Sequence, residues 1–203
     1  HCRAAHRAPQ IANLLPTSFL ASFDITDLDA STAVIDEIVA HHGRLDCLVN
    51  NAAVRDRRAL DDITPEDFRR LIETNLVSQY ALSRVAVRHM AARGGGRLIF
   101  ISSMVGPQSF QGDPAYVASK GGLEALMRAL AVELGGKGIA ANAIAPGFFA
   151  TDGNAPFFAK PRIAELARRI PLGRFGRPDE LVGAAIFLAS DAASYITGQV
   201  LTV

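Results

Sequence analysis

Apolar positions recur along the chain in two rhythms. Short runs at Thr17–Phe23, Leu45–Val49, Arg97–Ser102, Ile139–Ile144 and Gly198–Val203 have the length of strands. Between them lie stretches with helical spacing. Val34, Ile35, Ile38 and Val39 predict an amphipathic helix over 27–42, which Gly43 closes. Thr64-Pro65-Glu66-Asp67 joins a capping residue, a proline at the first helical position and acids in the first turn. A helix therefore starts there and runs to about Ala92, ahead of Gly94-Gly95-Gly96. Further helices fit 114–134 and 178–190.

Strand and helix in alternation mean βαβ units, hence a parallel sheet with helices on both faces. Leu45–Val49, read as a parallel strand, is expected to be buried on both sides. Ligands of such sheets bind beyond the carboxyl ends of the strands, so the residues just after each strand are the ones to read.

Composition narrows the class. At 203 residues and 49% hydrophobic the chain is too apolar for disorder and reads as one main domain. A net charge of +1 excludes the concentrated basic footprint of a nucleic-acid or membrane-surface binder. Two cysteines, Cys2 and Cys47, make no disulfide framework, and the uncharged stretch Ala8–Phe23 is broken by Pro16. The expectation is a soluble protein of a reducing compartment, the cytoplasm. Residues 1–23 hold no acid but carry Arg3 and Arg7, without the serine enrichment and amphipathic repeat of a transit peptide. They read as an atypical N-terminal segment ending in a strand, ahead of a domain over 24–203.

Three strand ends carry candidate chemistry. Asn50-Asn51-Ala52-Ala53 pairs loop-forming amides with side chains small enough for a flat ligand to approach the backbone. Ser102-Ser103 follows the next strand, and 13 positions after Ser103 stands Tyr116, with Lys120 four further on. On a helix that spacing shares a face, so the ammonium can lie near the phenol, favour its ionised form and equip it for general acid/base work. Pro146-Gly147 forces a turn after the fourth run, and the Thr151 hydroxyl could anchor a ligand amide.

Together these segments resemble the short-chain dehydrogenase/reductase family, from about Asp24 to Val203. The resemblance rests on Asp24-Ile25-Thr26-Asp27, Asn50-Asn51-Ala52-Ala53, Asn75 within Glu73-Thr74-Asn75-Leu76, Ser103, the Tyr116/Lys120 pair, Pro146-Gly147, Thr151 and Gly173-Arg174-Phe175-Gly176-Arg177-Pro178. It implies a Rossmann-like, doubly wound parallel sheet and hydride exchange between NAD or NADP and a secondary alcohol or ketone. By the same resemblance Tyr116 is the acid/base, Lys120 lowers its pKa and binds the nicotinamide ribose, and Ser103 polarises the substrate oxygen. Asn75 lies in the long helix and holds a water linking Lys120 to solvent. Asp24 and Ile25 meet the adenine, Asn51, Ala52 and Ala53 line the nicotinamide side with Pro146 and Gly147, and Thr151 holds the carboxamide. Segment 152–172, with Phe157 and Phe158, resembles a substrate lid. Family members associate as homodimers or homotetramers through helices corresponding to 66–92 and 114–134.

The chain departs from the family pattern in three places. It has no glycine-rich turn of the G-x-x-x-G-x-G kind, so the first βαβ unit is expected to be lacking and the N terminus truncated. Ala53 replaces the family's glycine, and Val203 stands where an Asp-Gly-Gly usually follows. The arginines after Asn50, together with Gly147-Phe148-Phe149-Ala150-Thr151-Asp152-Gly153-Asn154, resemble the gluconate 5-dehydrogenase branch. That implies a sugar acid whose carboxylate meets one of Arg55, Arg57, Arg58, Arg69 or Arg70, unless these form a solvated face or a subunit contact. Two alternatives stay open: a 3-oxoacyl-acyl-carrier-protein reductase docking an acidic carrier on the arginines, and a non-catalytic remnant.

Overall fold

The computed structural model describes residues 19–109, 113–151 and 161–203. Four parallel strands, β1 (Cys47–Asn50), β2 (Gly96–Ile101), β3 (Ile139–Ala145) and β4 (Val200–Thr202), form one sheet in that order. Ahead of β1 runs α1 (Leu28–His42). Asp27 accepts the Ala30 N–H at its start, and Gly43 closes it in the left-handed region at φ 73°. Between β1 and β2 come α2 (Pro65–Ile72), a π-helical turn (Glu73–Val77) and α3 (Ser78–Ala92). Thr64 and Asp67 form the reciprocal cap that the Thr-Pro-Glu-Asp motif predicts. The short α4 (Val105–Gln108) and the long α5 (Pro114–Leu134) link β2 to β3. After β3 come α6 (Pro161–Arg168), a 3-10 turn (Pro178–Leu181) and α7 (Val182–Ala189).

Alternation along the strands explains the layers. Leu98 and Phe100 of β2 and Ile139, Ala141 and Ala143 of β3 point to one face, where they pack with Leu82, Val85, Ala86 and Met90 of α3 and Leu123, Met127 and Ala131 of α5. Ile99 and Ile144 point to the other face, against Leu188 of α7 and Ala193. This is the Rossmann-like sheet with helices on both faces that the alternation of elements implies.

Three details differ from the sequence reading. Residues 19–23, the described part of the strand read at 17–23, join no strand of the sheet, and among the described residues β1 hydrogen-bonds on one side only, to β2. Val49 is 46% exposed, so β1 is not buried on both faces. The helix on that side, α7, packs on β2 and β3. The single helix expected to Ala92 is interrupted by the π turn. The lid residues 152–160 lie outside the described residues.

Where β2 and β3 begin, two backbones cross closely. Gly138 sits at φ 72°, and a Cβ there would lie 2.5 Å from the Gly94 carbonyl oxygen, while one on Gly95 would lie 2.8 Å from the Gly138 carbonyl oxygen. Gly136, two residues earlier, has nothing within 4 Å of such an atom. Gly138→Ala is therefore expected to lower the unfolding free energy in urea by about 2 kcal/mol or more, through left-handed backbone and contact together. Gly136→Ala is expected to leave it within about 0.5 kcal/mol.

Candidate active site

The rim of the site follows from strand register. Asn50 pairs with Phe100 and Ile101 with Ile144, so the carboxyl ends of β1, β2 and β3 finish level. From that rim the chain leaves through Asn51, Ser102 and Pro146. The two serines after β2 have different work. Ser102 is buried and donates to Glu124 Oε1 at 2.7 Å, tying strand to helix α5. Ser103, half-buried, faces the Tyr116 phenol and acts to lower its pKa, while its Oγ accepts from the Val105 N–H at 3.4 Å.

Tyr116 and Lys120 reach the rim from the first turns of α5. Lys120 is 2% exposed, and its Nζ donates to the Ile101 carbonyl at 2.6 Å, with 5.7 Å from Nζ to the Tyr116 ring centroid. Burial pulls its pKa down to about 8. Burial also pushes the Tyr116 phenol above its ordinary value, against the charges of Arg55 and Arg57 and the Ser103 hydroxyl, with the Asp113 carboxylate raising it further. This corrects the expectation of a lowered pKa: in the folded chain desolvation outweighs the cations, and the first opposing charge is that of Arg55.

Asn75 lies at the centre of the π turn with no exposed surface. Its Oδ1 accepts from the Val54 N–H at 2.8 Å, and its Nδ2 donates to the Val54 carbonyl at 2.9 Å and to Ser119 Oγ at 3.1 Å. The side-chain amide is thus spent on protein partners. One helical turn on, Gln79 donates to the Ala52 carbonyl at 2.8 Å. A turn further, Ser83 accepts from Asn50 Nδ2 at 3.0 Å. Residues 50, 52 and 54 are laced to 83, 79 and 75. Gln79 and Ser83 were missed as site supports, although three polar residues spaced by four on a buried helix face are a readable signal.

The residues read as cofactor contacts fall into two groups. Asn51, Ala52 and Ala53 on one side and Pro146 and Gly147 on the other flank the rim, and Thr151 stands exposed beyond. Pro146 and Gly147 do not turn. The Pro146 carbonyl accepts from Met104 N–H at 3.1 Å, and Gly147 N–H donates to the Val203 carbonyl at 2.8 Å, so the segment stays in line with the sheet. Asp24 and Ile25 precede α1. Asp24 Oδ1 accepts from the Thr26 N–H and hydroxyl at 2.9 and 2.8 Å, and no contact joins either residue to Ser103, Tyr116 or Lys120 among the described residues. No cluster of potential metal ligands occurs among the described residues, and none of their helices is long and apolar enough to cross a membrane.

The arginines are unequally placed. Arg58 binds Asp56 and Asp67 at 2.5 and 2.8 Å, Arg69 binds Glu66 at 3.0 Å, and Arg70 binds Asp67 at 2.9 Å. Of the arginines, Arg55 and Arg57 are the two whose charges act on Tyr116.

Comparison with known proteins places this geometry. The family model described as enoyl-(acyl carrier protein) reductase matches residues 2–203. The chain is 42% identical over 184 residues to the 2-dehydro-3-deoxy-D-gluconate 5-dehydrogenase of Pseudoalteromonas atlantica, covering 89% of this chain and 71% of that protein. It is 38% identical over 178 residues to the 3-oxoacyl-[acyl-carrier-protein] reductase of Thermotoga maritima, covering 88% and 72%. The crystal structure of a gluconate 5-dehydrogenase from Burkholderia cenocepacia, in complex with NADP and tartrate, superposes with a TM-score of 0.91 at 36% identity, covering 98% and 79%. A family model that spans the chain, and enzymes that share both its sequence and its fold, lead to one conclusion: the chain belongs to the short-chain dehydrogenase/reductase family of oxidoreductases.

Proposed function

We propose that this chain interconverts a secondary alcohol and a ketone on a small sugar acid, with NAD or NADP as hydride carrier. One observation carries the reading: a serine, a tyrosine and a lysine meet at the strand rim under two guanidinium charges. The relatives acting on gluconate and its dehydrated keto derivative support a carboxylate-bearing substrate.

The residues present fit a nicotinamide cofactor. Lys120 has three N–H donors, and among the described residues the Ile101 carbonyl takes one, leaving a buried ammonium with donors that ribose hydroxyls would satisfy. Asn51, Ala52, Ala53, Pro146, Gly147 and Thr151 would hold the nicotinamide side, with Asp24 and Ile25 toward the adenine. The bound cofactor donates or accepts the hydride.

Everything else falls to the chain. The substrate oxygen sits between the Ser103 hydroxyl and the Tyr116 phenol. Ser103 donates a hydrogen bond that strengthens as negative charge grows on that oxygen. In reduction Tyr116 gives its proton to the oxygen; in oxidation the phenolate takes a proton from the alcohol. Burial keeps the phenol protonated at rest, the state that reduction requires. Arg57, on the loop after β1, acts on the phenol through its charge and is the arginine we assign to the substrate carboxylate. Assembly as a homodimer or homotetramer is part of the same reading; Phe68, Val77 and Tyr80 on α2, the π turn and α3, and the 88% exposed Val132 on α5, are apolar surface for it.

Steady-state assays test this directly. Reduction of 5-keto-D-gluconate by NADH or NADPH is expected, and Tyr116→Phe should cost about 10²–10⁴-fold in kcat. Arg57→Leu should raise KM for the sugar acid about 10–100-fold, the loss of one charge-assisted contact, while leaving an uncharged ketone little changed. A pantetheine-linked 3-ketone reduced with the higher kcat/KM would replace the sugar-acid reading with that of an acyl-carrier reductase, as the Thermotoga relative suggests.

Lys120 also sets a pH-dependent stability. Its folded pKa of about 8 lies below the ordinary 10.5, so between those values the unfolded state binds the more protons and stability rises with pH. Below pH 8 the folded protein carries the full cost of a buried charge, on the order of 3 kcal/mol. Lys120→Met should lack this rise and be the more stable protein near neutral pH by urea unfolding, while losing turnover. Equal pH slopes for both proteins would show that the ammonium is not desolvated.

A further inference from the structure

The cation nearest the Tyr116 ring is not Lys120. The Arg55 guanidinium carbon lies 4.8 Å from the ring centroid, against 5.7 Å for the Lys120 nitrogen. Arg55 is held there from two sides. Its backbone follows Val54, whose N–H and C=O are both bonded by the buried Asn75 amide. Its guanidinium donates through Nε to Asp113 Oδ2 at 2.8 Å, and through Nη2 to the same oxygen.

Asp113 is the unusual member of this pair. It occupies the N-cap position of α5, where an aspartate ordinarily accepts a backbone N–H of the first turn, yet it makes no such bond. Forgoing the cap costs about 1 kcal/mol. The residue is 3% exposed, and among the described residues its Oδ1 has no hydrogen-bond partner. The carboxylate is turned away from its own helix and spent on an arginine 58 residues distant in sequence. A local preference set aside in this way marks a functional constraint.

We propose that Arg55, clamped by Asp113, is a positioning residue that sets the proton affinity of Tyr116. A guanidinium over the ring face favours the phenolate electrostatically, and its stack fixes the plane in which the phenol oxygen meets Ser103. The other groups facing Tyr116 are Arg57 from the loop after β1, Ser103 from the end of β2, and Asp113 and Lys120 from α5. Asp113 opposes the effect on the phenol, but the Arg55 charge is the larger influence. The pair therefore gives net relief from the burial that holds the proton on. The inference rests on the reading of Tyr116 as the acid/base, and its test needs no turnover.

The chain has three tyrosines and no tryptophan, so phenolate absorbance is readable without an indole background. Titration after rapid mixing to alkaline pH, ahead of unfolding, with the Tyr116→Phe trace subtracted, isolates the Tyr116 step. Arg55→Met, which keeps bulk over the ring without charge, should move that step up by about one pH unit. Arg55→Lys should recover at least half of the shift. If the Met variant lacks the native circular dichroism spectrum, Arg55→Gln takes its place with the same expectation. An unmoved step, or equal shifts for the Met and Lys variants, overturns the proposal, the second because packing and not charge would then be responsible. Loss of 5-keto-D-gluconate reduction with an intact titration shift would count against the substrate reading alone.

Discussion

Asn75 has no contact with solvent, so every polar atom of its amide must be satisfied inside the protein, and the way it is satisfied fixes the site. The loop leaving β1 is held in extended form against α3 and the π turn by Asn75, Gln79 and Ser83, which meet residues 54, 52 and 50 in turn. The two repeats match in length. Four helical residues advance about 6 Å and two extended residues about 6.6 Å, so a polar side chain on each helical turn meets every second residue of the loop. At one end the ladder touches Ser119, the neighbour of Lys120; at the same end Val54 hands the chain to Arg55. The π turn around Asn75 is where the helix interrupts its regular pattern, and such bulges concentrate at functional positions.

Much of this was legible beforehand because it depends on local rules. The helix start at Thr64 and the stop at Gly43 are cap chemistry, and the structure shows the bonds they predict. The helix bearing Tyr116 and Lys120 needed only spacing. What stayed hidden depends on pairings between distant segments. Arg55 and Asp113 lie 58 residues apart, and nothing in either neighbourhood announces that they bind each other. The exposure of Val49 depends on what covers that face of β1, which strand periodicity does not contain. The segment at 17–23 has the composition of a strand, but a strand exists only with a partner, and composition names none.

Lys120, buried, and Tyr116, half-buried, are pushed in opposite directions by the same cause. Desolvation disfavours charge whatever its sign, so it drives the Lys120 ammonium toward neutrality and holds the Tyr116 proton in place. Left to burial alone, the pair would rest as neutral amine and neutral phenol over much of the alkaline range, a poor arrangement for a phenol that must also act as a base. The Ile101 carbonyl answers one half of the difficulty by accepting from the ammonium. The other half needs positive charge near the ring that does not itself titrate. An ammonium with a pKa of about 8 serves poorly there, because it fades in the range where the phenolate is wanted. A guanidinium keeps its charge throughout. Its position at 4.8 Å from the ring, secured by a carboxylate that gives up its cap to hold it, meets that electrostatic need, and the need is set by how far the fold desolvates the Tyr116 phenol.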